Sequence, residues 1–316
     1  MTEPIARSIS VGEQARIIQL QGLEYAPVPA WKRAAQSLVR ARWPILALVI
    51  LLVVALLAVL GHELAPRDPN RQNLIQRLTP PMQRDADGAL PFPLGTDALG
   101  RDELSRLIYG ARVSFFVGLT AVVIGGLIGS ILGLVAGYFG GATDDIIMRI
   151  ADIQLAFPFI LLTIMVLVVL GSGVLNLVLV LGIGQWVTYA RIARGQTIAE
   201  REREYVLAAR AIGSSQPRIM FNSILPNILA PLIVIASFNV ASVILAEASL
   251  SFLGLGVPPT VPTWGGMLAE SRDQLIAGKW WLAIFPGLAI MFTVLALNII
   301  GDWLRDFLDP RLRGVG

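Results

Sequence analysis

Long uncharged runs alternate with short charged islands along this chain, and the lengths of the runs set the predicted elements. Ile45 to Leu60 carries no charge. With Trp43 and Pro44 it approaches the roughly 20 residues that cross a bilayer as a helix, so 44–60 is the first predicted span. Val113 to Phe139 is a second, long enough to cross with tilt. Ile153 to Ala190 holds 38 uncharged residues, too many for one crossing, and Gly171-Ser172-Gly173 divides it into two. Ile219 to Ala246 is entered through Pro226 and Asn227 and eased by Pro231, and Trp280 to Ile300 closes the series. The pattern predicts an all-α integral membrane protein with six transmembrane helices.

The islands between the runs carry the remaining structure. In the stretch from Glu204 to Asn227, Tyr205, Ala208, Ala209 and Ile212 recur at helical spacing, while Glu200, Arg201, Glu202, Arg203 and Arg210 supply a wet side. Gly213 stands where a left-handed C-cap wants glycine; Ser214 or Ser215 can then cap a second helix with Pro217 in its first turn and Arg218 beyond. Two short surface helices are expected, either a linker lying at the headgroups or a knob for a soluble partner. Upstream, Asp102 to Tyr109 reads as a short amphipathic helix with Leu104, Leu107 and Ile108 on one face, lying at the headgroups. Gly125, Gly129, Gly133, Gly137 and Gly141 recur every fourth residue, leaving one face of the second span almost without side chains. Such a face lets two helix backbones approach closely, within this subunit or across an interface. Asp144, Asp145, Arg149 and Asp152 mark a short turn and the start of a helix.

Past Glu247, residues 248–269 are uncharged, and Gly254, Gly256, Pro258, Pro259, Pro262, Gly265 and Gly266 argue against a continuous helix. An irregular outer loop is expected over 247–279, acting as a gate or docking site through Glu247, Phe252, Gly254, Pro258 and Trp264, or serving only as a connector. The chain then divides into an N-terminal segment 1–43, the first span 44–60, an outer loop 61–111, a five-span core 112–301 containing a cytoplasmic loop at 191–226, and a tail 302–316.

Composition agrees with the pattern: 55% of the 316 residues are hydrophobic, 15% are charged and the mean hydropathy is +0.69, too apolar for a soluble domain of this length. Charge placement sets the orientation. Residues 1–43 and 191–218 each carry six Lys/Arg against three acids, which puts both on the inside, and with six spans both termini are cytoplasmic. The 61–112 stretch balances seven Arg with seven acids and carries six prolines, as expected of an irregular outer excursion. There is no cysteine and a single histidine, His62, which excludes thiolate metal sites and disulfides and leaves no redox or zinc enzyme. No basic footprint suits nucleic acid, so no nucleic-acid partner is expected. The predicted spans hold no ionisable residue, Glu247 and Asp302 falling at span ends, which leaves no obvious ion-coupling route. No phosphate-cradling Gly-x4-Gly-Lys-Ser/Thr loop is present either, the only Gly-Lys being Gly278-Lys279. Uphill transport would need energy from a partner. A passive channel or membrane-embedded enzyme is the alternative class, but the catalytic cluster or charged filter it requires is missing.

Ala208-Ala209, Gly213 four residues on, and then Ile224-Leu225-Pro226 resemble the "EAA" signature of permease subunits of bacterial ATP-binding-cassette importers. The position of the signature's leading Glu holds Leu207, and the nearest acid is Glu204. Gly95 to Ser114, Glu247 to Pro259, Pro262 to Met267 and Gly301 to Arg311 are similar to the oligopeptide, dipeptide and nickel branch of that family. The resemblance implies a type I importer permease fold in the bacterial inner membrane. It implies an ATPase-coupling loop containing Glu204, Tyr205, Ala208, Ala209, Arg210, Gly213, Pro217, Arg218, Leu225 and Pro226, with no enzymatic activity and no cofactor on this chain. The partners it implies are a homologous second permease, two ATPase subunits binding ATP with Mg, and an extracytoplasmic solute-binding protein. The substrate it implies is a short peptide, with nickel chelates or other small solutes as the alternative.

Overall fold

The computed structural model describes residue 38, residues 42–84 and residues 87–308; the expected cytoplasmic segment 1–43 falls almost wholly outside them, as does 309–316. Contacts divide the chain into two units, Met1–Ile45 and Leu46–Gly316, and the elements that follow Ile45 belong to the second. Among the described residues, structure is helical apart from one isolated bridge between Thr96 and Asp102.

Helix α1 (Arg42–Leu64) is apolar on all sides, and its 23 residues rise about 35 Å, enough for a hydrocarbon core of about 30 Å. An irregular stretch with one 3-10 turn, Leu74–Gln76, leads to α2 (Glu103–Phe139). The Asp102 carboxylate caps α2 by accepting from the Ser105 N–H at 2.9 Å. The amphipathic 102–109 segment is therefore not a separate helix at the headgroups. It is the first two turns of a 37-residue helix, because nothing between Tyr109 and Val113 breaks the backbone. Its charged side chains are buried inward rather than solvated.

The third crossing is a bent pair. Helix α3 (Gly141–Leu155) and α4 (Phe159–Leu170) meet at 86°. Counting charges alone placed an unbroken helix through this point. Pro158 has no N–H to donate and drives the preceding residue out of the helical region, so the helix ends before it. Helix α5 (Val174–Glu200) runs ten residues beyond Ala190, and the turn starts only after Glu200. A short helix α6 (Glu204–Ala211) follows, then α7 (Gln216–Phe252), a helix of 37 residues that contains a π segment at Ile219–Ile224. The widened turn sits just before Pro226, whose ring would press on the carbonyl four residues back in a regular α-helix. The second of the two expected surface helices is thus the root of this span. Helix α7 also continues five residues past Glu247. Helix α8 (Trp264–Ile276) starts directly through Gly265 and Gly266, so only 253–263 and the short turn 277–279 of the expected irregular stretch lack helix. Helix α9 (Trp281–Leu308) completes the chain, eight residues beyond the predicted end of the last span.

Among the described residues five helices are long and apolar enough to cross a membrane, α1, α2, α5, α7 and α9, and counting the bent α3/α4 pair as one span gives six. The closest packing joins α2 to α5. A Cβ built on Gly125, Gly129, Gly133 or Gly137 would lie 2.5, 2.2, 2.2 or 2.7 Å from the carbonyl oxygens of Gly182, Trp186, Ala190 and Arg194 in turn. Four glycines one turn apart thus seat the backbone of α5 directly against that of α2. Gly141 is not part of this face; it lies at the start of α3 with φ +53°.

Candidate functional site

Helix α6 is fixed from below by one side chain. Val206 is fully buried in the same apolar cluster as Ile219, Met220 and Ile224 of the π segment, and half-buried Ala209 packs against that cluster. The rest of the helix is turned outward, with Ala208, Ala211 and Leu207 exposed and Ile212 83% exposed at the tip. The periodicity of Tyr205, Ala208, Ala209 and Ile212 is real, but the inward face passes through Val206 and Ala209. Ala208 and Ile212 are on the free one. That free face is apolar although it faces outward, an arrangement that suits a protein surface rather than bulk water.

The turn after α6 is closed by two hydrogen bonds, Gly213 N–H to Arg210 C=O and Ser214 N–H to Ala209 C=O, both 3.0 Å. This is a Schellman motif, and it requires the left-handed conformation that Gly213 adopts at φ +76°. Ser215 is the N-cap residue of α7 in extended conformation but makes no side-chain cap bond; Pro217 lies in the first turn, with Gln216 and Arg218 exposed beside it. Leu225 is half-buried against the apolar cluster and Pro226 is exposed.

Polar side chains tie α6 to its neighbours. The Tyr205 hydroxyl donates to Glu200 Oε2 at 2.6 Å and accepts from Asn227 Nδ2 at 3.2 Å, so one group joins α5, α6 and α7. Arg201 donates to the carbonyls of Gly137 and Tyr138 at the C-terminus of α2, at 2.9 and 3.4 Å, and the Arg210 guanidinium lies over the Tyr138 ring at 5.4 Å. Partial burial and then the hydrogen bond to the Glu200 carboxylate push the Tyr205 phenol up to about 12. Because this pKa is raised on folding, its contribution is complete below the unfolded tyrosine value of about 10 and is lost as pH rises through the folded value. A difference titration at 295 nm between the wild type and Tyr205→Phe should therefore show phenolate only above about pH 10. A step at or below that pH contradicts the tie. The substitution itself is expected to destabilise by about 1 kcal/mol or less, since the group is partly solvated.

At the other end of α7 a second constellation closes the outer side. The Glu247 carboxylate is 0% exposed and receives hydrogen bonds from Ser114 Oγ on α2 at 3.1 Å and from Ser251 Oγ at 2.8 Å, with the Thr263 hydroxyl as a third partner. Thr263 in turn caps α8 by accepting from the Gly266 N–H at 2.9 Å, and Trp264 Nε1 donates to the Leu107 carbonyl at 3.0 Å. Glu247 thus lies within α7, five residues before its outer end, and it binds α2, α7 and the start of α8 together. Of the other residues picked out from the sequence here, Phe252 is the last of α7 and lies under the Arg272 guanidinium at 4.4 Å, while Gly254 and Pro258 stand in the connection between α7 and α8.

The sequence reading missed one buried network beside this region. Arg101 pairs with Asp97 at 2.5 Å and with Glu270 at 2.6 Å; Arg106 pairs with Asp97 at 2.5 Å and with Glu270 at 2.8 Å. The i,i+4 spacing of Asp97 and Arg101 was the available signal, but Glu270 is more than 160 residues away along the chain.

These features agree with what the chain is similar to. A family model described as "Binding-protein-dependent transport system inner membrane component" matches residues 129–314, and one described as "N-terminal TM domain of oligopeptide transport permease C" matches residues 30–81. The chain belongs to the family of binding-protein-dependent transport system inner membrane components, integral membrane transport proteins and not enzymes. Among its relatives, the di/tripeptide transport system permease protein of Pseudomonas aeruginosa is 44% identical over 266 residues, covering 84% of this chain and 87% of that protein. The dipeptide transport system permease protein of Escherichia coli is 44% identical over 274 residues, covering 87% and 91%. In fold, the chain is similar to the MetNI methionine ABC transporter in an inward-facing form, with a TM-score of 0.53 at 18% identity over 65% of this chain and 96% of that one. The type I permease fold is therefore established.

Proposed function

We propose that this chain is the permease subunit of an ATP-driven importer of short peptides, forming half of the path and receiving force through α6. The observation that carries the reading is the outward apolar face of α6, set on a rigid Schellman turn and rooted by Val206 in the π segment of α7. The names of the dipeptide and di/tripeptide relatives supply the substrate class. Two cytoplasmic ATPase subunits carrying ATP and Mg dock on α6 and on its counterpart in a second, homologous permease. A solute-binding protein delivers peptide from outside.

Movement of α6 has a direct route across the membrane. Its anchor touches the base of α7, and α7 rises about 45 Å to the Glu247 constellation that holds α2 and α8 at the outer side. A tilt of α7 imposed from inside therefore loads the outer closure, where residues 253–263 and Trp264 act as gate and docking surface. Reconstitution with both ATPases, the second permease and the binding protein is expected to give ATP-dependent uptake of labelled alanyl-alanine and longer peptides up to five residues. Uptake of nickel chelates or a sugar with no peptide uptake would overturn the substrate class, and conduction by the purified chain alone would replace the importer with a channel.

A further inference from the structure

The bend between α3 and α4 falls at membrane depth, within the uncharged run from Ile153 to Ala190. Both limbs are fastened to α5. On the α3 side, Gln154 Nε2 donates to the Gly184 carbonyl and Gln154 Oε1 accepts from Trp186 Nε1, both at 2.7 Å. On the α4 side, the Phe159 ring packs so closely on Gly184 that a Cβ there would lie 2.3 Å from it. Limbs that part at 86° from these pins cannot also fill the angle between them, and a cavity of about 420 Å³ opens there against α5. Phe157, Phe159 and Leu162 give it an apolar wall, Gln185 and Thr188 add polar groups, and no acid or base lines it.

Gln185 and Thr188 have hydrogen-bonding capacity to spare. Elsewhere in the spans, Thr163 and Thr293 donate to the carbonyl four residues back at 2.8 and 2.7 Å, the usual way a helix satisfies a hydroxyl without water. Thr188 is exposed and makes no such bond, and the half-buried Gln185 carboxamide makes none with any described residue. Turned to hydrocarbon, two unpaired polar side chains would each be costly; they suit a wet surface. The cavity falls within the range of about 300–1,000 Å³ that small-molecule sites occupy, and an ion would find no opposite charge in it. A carboxamide and a hydroxyl both donate and accept, which matches the N–H and C=O groups of a peptide main chain whatever its side chains are. We infer that this cavity is a peptide-contact site of the translocation path, where Gln185 and Thr188 hydrogen-bond the main-chain amides of the passing peptide and the phenyl rings carry its side chains. The site deepens the importer reading and rests on it.

The test uses the whole complex in proteoliposomes, with binding protein and peptide outside and ATP inside. Gln185→Cys and Thr188→Cys, made singly in a chain that has no cysteine, are oxidised with copper phenanthroline during turnover on alanyl-cysteinyl-alanine. A disulfide adduct with the peptide is expected at both positions, dependent on ATP. Leu127→Cys, exposed on the face of α2 opposite the glycine seam, should give none. In uptake of labelled alanyl-alanine, Gln185→Leu and Thr188→Val should each lower the rate about threefold or more, as loss of a neutral hydrogen bond does, while Thr188→Ser, which keeps the hydroxyl, stays near the wild type. Thermal unfolding of each variant should match the wild type. A wild type that imports no peptide sinks the importer reading and this site with it. Peptide uptake without an adduct at 185 and 188, an equal adduct at 127, cross-linking of Thr188→Cys to the second permease in place of peptide, or unchanged uptake in both Gln185→Leu and Thr188→Val overturns the site alone.

Discussion

Gly133→Leu is expected to remove most of the folded protein from the membrane, and Gly129→Leu to do the same. At each position the first added carbon would lie 2.2 Å from a backbone oxygen of α5, that of Ala190 or of Trp186. A backbone carbonyl in the middle of a helix cannot turn aside as a side chain would. The helices must separate, and separation breaks the contact at the neighbouring glycines too, because Gly125, Gly129, Gly133 and Gly137 share one seam. Overpacking a single core side chain costs about 1–3 kcal/mol, and a clash that opens a whole helix pair exceeds that range. Gly195→Ala is the control: the site is exposed on α5 with nothing within 4 Å of a new Cβ, so it should be neutral or stabilising by up to about 1 kcal/mol. Thermal unfolding in mild detergent and the yield of monodisperse protein report the difference. A Gly133→Leu chain that melts with the wild type would show that α2 and α5 do not depend on this contact.

What the sequence revealed and what it hid differ in a physical way. Signals confined to one turn were readable. Gly213 predicts the reversal after α6 because only one backbone conformation fits there, Pro217 marks the first turn of the next helix, and uncharged runs mark most of the spans. The continuity of elements was not readable from charge. Asp102 to Arg112 looks like a surface segment until Arg106 is found paired inside the protein, and then nothing ends α2 before Phe139. Conversely, Pro158 breaks an uncharged run that hydropathy reads as unbroken. Gly265 and Gly266 enter a helix because Thr263 caps it and Trp264 anchors it, two tertiary facts that outweigh the helix propensity of glycine. The α6 knob was visible as a helix, but which face is free was decided by Val206, a residue the periodicity passed over. The buried network of Arg101, Arg106, Asp97 and Glu270 depends on contacts across more than 160 residues and leaves only a local i,i+4 trace.

Gly213→Val is expected to reduce peptide uptake by about tenfold or more while leaving the helices inserted. A β-branched residue at φ +76° is strained by roughly 1–2 kcal/mol, and relief of that strain would open the two hydrogen bonds that hold the tip of α6. No neighbour lies within 4 Å of the new Cβ, so the defect stays in the turn and does not spread into the core. Ile212→Asp should act similarly by another cause, a charge placed on the apolar tip where a protein surface must close. Ala209→Glu is a poorer probe than either, because Ala209 packs against the buried cluster and the change would disturb the root of the helix. For both useful variants, ATP hydrolysis by the reconstituted complex should lose its stimulation by peptide. Wild-type uptake with wild-type stimulation would reduce α6 to a linker at the headgroups.

Contact between α6 and an ATPase can be captured directly, because the chain has no cysteine of its own. Ala208→Cys and Ile212→Cys, each introduced singly and treated with a short thiol-to-amine cross-linker in native membranes, are predicted to yield an adduct of this chain with an ATPase subunit. Phe116→Cys, exposed more than five helical turns from the α6 end of α2, should yield none. An ATPase adduct from both α6 positions and not from Phe116 is the result expected of a force-receiving helix; its absence at both α6 positions, in membranes that retain ATP-dependent uptake, would contradict the central claim.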